Sequence, residues 1–149
     1  MFTLDASVLM RRINARDPAA IVCDELLEAI RLKAIPLVEP LLVLPEVAGA
    51  FSRFFRDPMR GRVYADLLRD LPHTTYVPID AALAQAAAEL AADQFLRGAD
   101  AVYAAVALRY DTTLVSLDDE HHRYLSGVIA VQTPAAALAT LHGCGQVAV

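Results

Sequence analysis

Four carboxylates are spaced along this chain where they could share one site. Asp5 directly follows the apolar run Phe2-Thr3-Leu4, and Glu46 stands in the first turn of a helix expected to start at Pro45. Asp100 opens a further expected helix, and Asp118 follows the apolar run 112–117. Open parallel sheets build their sites beyond the carboxyl ends of the strands, so these four residues could meet at one edge. Converging carboxylates repel one another and stay ionised together only when cations neutralise them. Oxygen-only ligands suit Mg²⁺ or Mn²⁺ rather than zinc. One such ion makes a nucleophile of water, and a second, about 4 Å away, stabilises a leaving oxygen. The chemistry to expect is phosphodiester hydrolysis, with one or two ions.

Each carboxylate also fits a purely structural role. Glu46 behind Pro45 favours a positive helix N-terminus. Asp5, Asp100 and Asp118 suit N-caps, each contributing about 1 kcal/mol. Capping needs only one oxygen-bearing side chain, however, and Ser, Thr or Asn serve as well. Carboxylates at all four points favour a shared site.

The elements that must position these residues alternate between strand and helix. Phe2-Thr3-Leu4 reads as a buried strand turning into a helix near Ser7. Asp17-Pro18 opens a helix to about residue 33, with Asp17 as N-cap and Pro18 at the first position. A strand is expected near 37–39 or 41–43, a helix from Pro45, and another from Asp57-Pro58 to about 71. Thr75-Tyr76-Val77-Pro78-Ile79 reads as a strand, which its proline assigns to a sheet edge. Asp80 caps an Ala-rich helix over 81–96 that Gly98 ends. The next helix runs from Asp100 to Tyr110, followed by a strand over 112–117, a short helix over 119–125, a strand over 128–131 and a closing helix over 134–141. This alternation predicts an α/β domain with a central, mostly parallel sheet of four to five strands. The domain spans 1–142, and 143–149 is expected to be a loose tail.

Composition bounds the function classes. The 149 residues are 56% hydrophobic, enough for a substantial core. No apolar run reaches the roughly 18 residues of a membrane span, and Asp5 interrupts the start where a secretory signal would need apolar residues. The expectation is a cytoplasmic protein with no membrane partner. Cys23 and Cys144 form neither a metal-type spacing nor a disulfide framework, and Cys23 is expected buried and reduced. The net charge of −5 disfavours simple nucleic-acid binding, unless positive charge is local or metal ions supply it. Two local groups exist. Arg53, Arg56, Arg60 and Arg62 interleave with Phe54 and Phe55, and Arg11, Arg12 and Arg16 follow Asp5. They are candidates for RNA-backbone contact, for receiving an acidic protein tail, or for solvated helix faces. Phe51, Phe54 and Phe55 read as core or dimer contacts. His121-His122 diverge by about 100° on a helix and cannot easily share one ion, so a surface position is expected for them. No Gly-rich phosphate loop is present. A haloacid-dehalogenase-type phosphatase would want a second Asp two residues after Asp5, and Ser7 stands there.

The four segments around these carboxylates resemble the acidic motifs of the PIN-domain family, in order and at similar separations. They are Leu4-Asp5-Ala6-Ser7-Val8-Leu9, Leu44-Pro45-Glu46-Val47, Arg97-Gly98-Ala99-Asp100-Ala101-Val102-Tyr103-Ala104-Ala105-Val106-Ala107 and Thr113-Leu114-Val115-Ser116-Leu117-Asp118. The resemblance covers about residues 1–135 and is closest to the VapC-type toxins. It implies a three-layer αβα domain, Mg²⁺- or Mn²⁺-dependent RNA cleavage by a metal-activated water, a tightly bound VapB-like antitoxin and a homodimeric toxin. It further implies Asp5 and Asp100 as the main metal ligands, with Glu46 and Asp118 supporting them directly or through water. Ser7 and Ser116 match small polar positions that orient a carboxylate or a water, and both also fit local capping. Pro45 departs from the small or apolar residue more usual before the second acid. Asp119 beside Asp118 leaves two candidates for the fourth. A PIN-like interaction module without catalysis is the alternative, and its usual sign, a missing acid, does not occur here.

Overall fold

A computed structural model describes residues 1–14 and 16–143. Five strands, β1 (Phe2–Leu4), β2 (Leu37–Pro40), β3 (Thr74–Val77), β4 (Thr113–Val115) and β5 (Val131–Gln132), form one sheet in the order β3-β2-β1-β4-β5. Every pairing is parallel. Helices flank the sheet: α1 (Ala6–Arg11), α2 (Pro18–Leu32), α3 (Val43–Phe55), α4 (Pro58–Arg69), α5 (Ala81–Asp93), α6 (Gly98–Tyr110), α7 (Asp119–Leu125) and α8 (Pro134–Gly143). Parallel strands covered by helices read as continuous apolar runs, and Phe2, Leu4, Leu37, Val38, Leu114 and Val115 are all buried.

The chain first builds outward from β1 through β2 to β3, then crosses back to place β4 on the other side of β1. That reversal creates a crevice beyond the carboxyl ends of β1 and β4, where open α/β sheets hold their ligands. The β1–β4 ladder continues to its lip, because Asp5 N donates to Val115 O at 2.9 Å.

The other flank of β1 is looser. Its register with β2 is set at Phe2 against Leu37. Beyond that pair side chains extend the contact: Thr3 Oγ1 donates to Val38 O at 2.8 Å, and Leu4 N donates to Glu39 Oε1 at 2.8 Å. Glu39 is thereby drawn into the sheet, 1% exposed.

Local rules account for the helices that carry the site. Asp17 accepts from Ala19 N at 2.9 Å and Pro18 opens α2, as the sequence predicts. Asp57 and Asp80 cap α4 and α5 in the same way. In α6, Tyr103 through Ala107 are buried without a break. A helix buried all round suits an interior position, and its alanines let it lie closely against β1, β2 and β4. α3 and α4 pack together at Gly61, where a Cβ would meet Ala48 O at 2.3 Å.

Several boundaries differ from expectation. β2 takes the first of the two positions considered. α3 begins at Val43, two residues before Pro45. β3 lies at the sheet edge, but Pro78 falls just beyond its end. Gly98 does not end α5. That helix stops at Asp93, Phe95 takes the left-handed conformation at φ 56°, and Gly98 opens α6. The last strand is Val131–Gln132 rather than 128–131, because the chain turns back onto α7 with Val128 N donating to Leu125 O. Cys23 is buried, and burial pushes its thiol up to about 11. Of the expected tail, Gly143 is the last residue of α8 and 144–149 lie outside the described residues. Among the described residues, no helix is long and apolar enough to cross a membrane.

Candidate metal centre at the carboxyl ends of β1 and β4

Asp5 is the first residue past β1 and is 6% exposed. It caps α1, its Oδ2 accepting from Ser7 N at 3.0 Å. The same oxygen faces Ser116 Oγ at 3.4 Å. Asp118 also caps a helix, accepting from Glu120 N at 2.8 Å. Asp100 and Glu46 are not caps. Arg97 and Leu42 hold those positions, leaving both carboxylates in first turns with no capping duty.

Asp5, Asp100 and His121 offer ligand atoms that all lie within 4.8 Å of one another. Asp100, Asp118 and Glu120 form a second such group. Asp100 therefore stands at the centre, in both sets. Asp119 is exposed and joins neither group; Glu120, paired to Arg97 at 3.5 Å, joins in its place.

Glu46 is held at the margin. It belongs to neither group, and its Oε2 accepts from the hydroxyl of Tyr103 at 2.5 Å. Burial pushes its carboxyl above the usual range. The Tyr103 hydrogen bond opposes that, and the charges of Asp5 and Asp100 add to it. Asp100 is likewise raised by burial, against the pull of His121, with Asp5 and Asp118 pushing further up. Carboxylates that hold one another's pKa up in this way would be relieved by a shared divalent cation.

His121 corrects the surface position expected from sequence. It is 0% exposed. α7 folds back so that His121 and Leu125, four residues apart on one helix face, both point inward. Its Nδ1 lies 2.7 Å from Ser116 Oγ and its Nε2 lies 3.8 Å from Asp100 Oδ1. His122 is half-buried instead, with Nε2 3.0 Å from Ser116 O. The spacing did hold a signal: His121 lies three residues after Asp118, a distance that returns to the same side of a helix.

The two serines tie the strand ends together. Ser7 Oγ accepts from Leu117 N at 3.3 Å, and Ser116 Oγ accepts from Asp118 N at 3.0 Å. Two atoms at the centre are left over. Asp100 Oδ2 and His121 Nε2 are buried without a hydrogen-bond partner. Buried polar atoms are normally paired, so two such atoms beside three acids fit a bound cation.

The arginines divide. Arg53 and Arg11 line an open cleft of about 590 Å³ with Ser7, Met10, Asp17 and Phe54, which touches the site only through Ser7 and holds none of the four acids. Arg53 lies over Gly49, where a Cβ would come within 3.0 Å of its guanidinium, and it forms no ion pair among the described residues. Arg11 is paired to Asp17 at 3.0 Å and Arg12 to Asp24. Arg60 sits over the Phe55 ring at 4.5 Å. Arg56, Arg60 and Arg62 are exposed but do not line this cleft. Phe51 is core, whereas Phe54 is 58% exposed. A second cleft, of about 510 Å³ between α2, α3 and α4, is mainly apolar and holds none of the four acids.

The geometry can be set against known proteins. No curated protein matches the sequence. Among solved structures, FitAcB from Neisseria gonorrhoeae superposes with a TM-score of 0.68 at 17% identity, covering 90% of this chain and 98% of that one. VapBC2 from Rickettsia felis, bound to a DNA fragment from its promoter, gives 0.67 at 15% identity over 89% and 97%. VapC20 from Mycobacterium tuberculosis, described as a Sarcin-Ricin loop cleaving toxin, gives 0.64 at 21% identity over 83% and 95%. These likenesses establish a shared fold. The family model for the PIN domain matches residues 2–125, nearly the whole folded chain, and the protein belongs to the PIN-domain family.

Proposed function

We propose that this protein is a divalent-metal-dependent endoribonuclease, the toxin of a VapBC-type pair. The observation that carries the reading is the gathering of Asp5, Asp100 and Asp118 at the β1–β4 crevice around two buried, unpartnered ligand atoms. Asp5 and Asp100 would hold the ion, with Asp118 and Glu46 supporting it directly or through water. The chemistry a Mg²⁺ or Mn²⁺ ion supplies there is activation of water near neutral pH and neutralisation of charge on the phosphodiester.

The chain's own residues prepare that chemistry. The Ser7 amide and the Ser116 hydroxyl fix Asp5 in one orientation. Tyr103 does the same for Glu46 and keeps its carboxyl from rising further out of the ionised range. Arg53, free of ion pairs among the described residues, offers an RNA strand positive charge in the cleft that Ser7 shares, and Arg11 there is paired to Asp17. Against a net charge of −5, the cation would supply the rest of the charge an RNA backbone needs. Arg12, Arg56, Arg60 and Arg62 are candidates for contact with substrate or antitoxin farther out. The neighbours in FitAcB and VapBC2 support a VapB-like antitoxin as partner. A homodimer and a cytoplasmic location belong to the same reading.

The test uses purified, antitoxin-free protein and single-stranded RNA, with Mn²⁺ or with EDTA. Cleavage should require the metal and disappear in Asp100→Asn with the circular dichroism spectrum unchanged. Cleavage that survives both treatments ends the reading. The other reading, a silent PIN-like module, predicts no cleavage by the unaltered protein under any metal.

A further inference from the structure

We infer that His121 is a metal ligand of this site through Nε2, which makes the centre a mixed oxygen–nitrogen site that selects Mn²⁺ over Mg²⁺. The inference rests on the nuclease reading above and goes beyond its all-carboxylate ligand set.

The hydrogen bonds around Ser116 fix which ring nitrogen is free. Its Oγ has three neighbours: Asp5 Oδ2 at 3.4 Å, Asp118 N at 3.0 Å and His121 Nδ1 at 2.7 Å. A hydroxyl has one proton to give and two lone pairs to receive. The Ser116 hydroxyl donates to Asp5 Oδ2, which uses its proton. The Asp118 amide can only donate, so it takes one lone pair. The remaining lone pair faces Nδ1, and His121 completes the set by donating from Nδ1. In the neutral ring this leaves Nε2 as a bare lone pair.

That lone pair has nowhere else to go. Nε2 is fully buried with no hydrogen-bond partner, and Oδ2 of the neighbouring Asp100 is likewise buried and unpartnered. Nε2 lies 3.8 Å from Asp100 Oδ1, and Asp5, Asp100 and His121 each bring one ligand atom to within 4.8 Å of the others. Donors that each sit about 2.1 Å from one ion are separated by roughly 3–4 Å, so the spacing suits joint ligation. The arrangement repeats a general feature of metal-binding histidines, whose other nitrogen donates to an outer partner that fixes the ring. Ser116 is that partner, a positioning residue touching ligand rather than ion. Imidazole favours first-row transition ions, whereas Mg²⁺ prefers oxygen alone. The nitrogen therefore tilts the site toward Mn²⁺.

The experiment is electron spin-echo envelope modulation of the full chain loaded with Mn²⁺, with and without ¹⁵N-labelled histidine. Directly bound imidazole gives nitrogen modulation that changes on labelling. It should persist in His122→Gln and vanish in His121→Asn. Calorimetry should show His121→Asn losing at least about tenfold in Mn²⁺ affinity, the scale even of outer-shell changes, with a smaller loss for Mg²⁺. Should His121→Asn not fold, the unaltered protein and His122→Gln still decide. Bound Mn²⁺ without nitrogen modulation, or modulation lost in His122→Gln, overturns the inference while leaving a nuclease intact. Modulation without RNA cleavage keeps the ligand assignment and overturns the nuclease. No Mn²⁺ binding overturns both.

Discussion

Two kinds of buried carboxylate lie one strand apart in this domain. Glu39 sits inside the sheet on β2, where Oε1 accepts from Leu4 N and Oε2 has no partner. Burial pushes its carboxyl well above the usual range, and the nearby charge of Asp5 adds to the push. Asp5 and Asp100 stand at the rim beyond the strand ends, beside further acids and a buried imidazole. Both regions face the cost of removing charge from water. Glu39 meets it with a single donor, the Leu4 amide, which opposes the upward push of burial on its carboxyl. The rim meets it collectively, with donors that orient Asp5, Asp118 and Glu46 and with ligand atoms of Asp100 and His121 left over for a cation. Burial of an acid is thus a poor sign of function, and convergence of several is a better one.

The strongest way to break the comparison is to neutralise one acid of each kind. Asp5→Asn should lower RNA cleavage by at least about 100-fold, beyond the roughly 10–100-fold typical of outer-shell partners. Glu39→Gln should leave cleavage within about threefold, since it removes no ligand. Initial rates on one RNA under saturating Mn²⁺ measure both. Equal losses would mean the two carboxylates belong to one functional unit.

A second contrast is energetic. A ligand that binds only the folded state stabilises it by about 2.7 kcal/mol at a concentration 100 times its Kd. Mn²⁺ should therefore raise the denaturation midpoint of the unaltered protein and of Glu39→Gln alike. The same titration of Asp100→Asn should give little or no shift. A stabilisation that survives Asp100→Asn would place the ion elsewhere.

These acids were unequally legible in the sequence. Asp5 directly follows β1, Asp118 comes three residues after the end of β4 where the sequence pattern extends the strand to 117, and Glu46 and Asp100 fall in first helical turns, so the alternation of strand and helix points all four to one edge. The helix starts followed local signals too, Asp17-Pro18 and Asp57-Pro58 among them. His121 was not legible in that way, because polar residues on a short terminal helix usually face water. Only the return of α7 onto the strand ends buries it. Glu39 was hidden for a different reason: its burial follows from the parting of β1 and β2 after Phe2 and Leu37, a register detail that periodicity does not carry. Helix ends failed where a residue other than glycine took the left-handed turn, as Phe95 does before α6.

A smaller effect sharpens the account of the rim. Tyr103→Phe deletes the hydroxyl that donates to Glu46 and keeps the ring that fills the core beside it. A hydrogen bond to a charged group contributes about 1.5–3 kcal/mol, so cleavage should fall about tenfold or somewhat more. The direction with pH is also set. The hydroxyl holds the Glu46 carboxyl down against burial, so its loss lets that carboxyl rise. The rise of activity with pH should then move to higher pH. A pH–rate profile checks this, and an unshifted acid limb would show that Glu46 need not ionise for cleavage.

The smallest effect concerns Glu39 itself and is read in stability. Its folded-state pKa lies above that of the unfolded chain, about 4.3. Below that value both states hold the proton and the residue adds no pH dependence. As pH rises, the unfolded chain releases the proton first, so stability falls until the folded carboxyl also ionises. Gln at this position has no proton to lose and keeps an oxygen for Leu4 N. At pH 4 the two proteins should differ by no more than about 1 kcal/mol, since each buries one unmatched polar group. From pH 5 to pH 8 the unaltered protein should lose more stability than Glu39→Gln. Urea midpoints in EDTA measure the difference, in which the like-signed contributions of Glu46 and Asp100 cancel because both proteins carry them. Parallel curves would show that Glu39 stays ionised in the sheet, and the contrast with the rim would then rest on the cation alone.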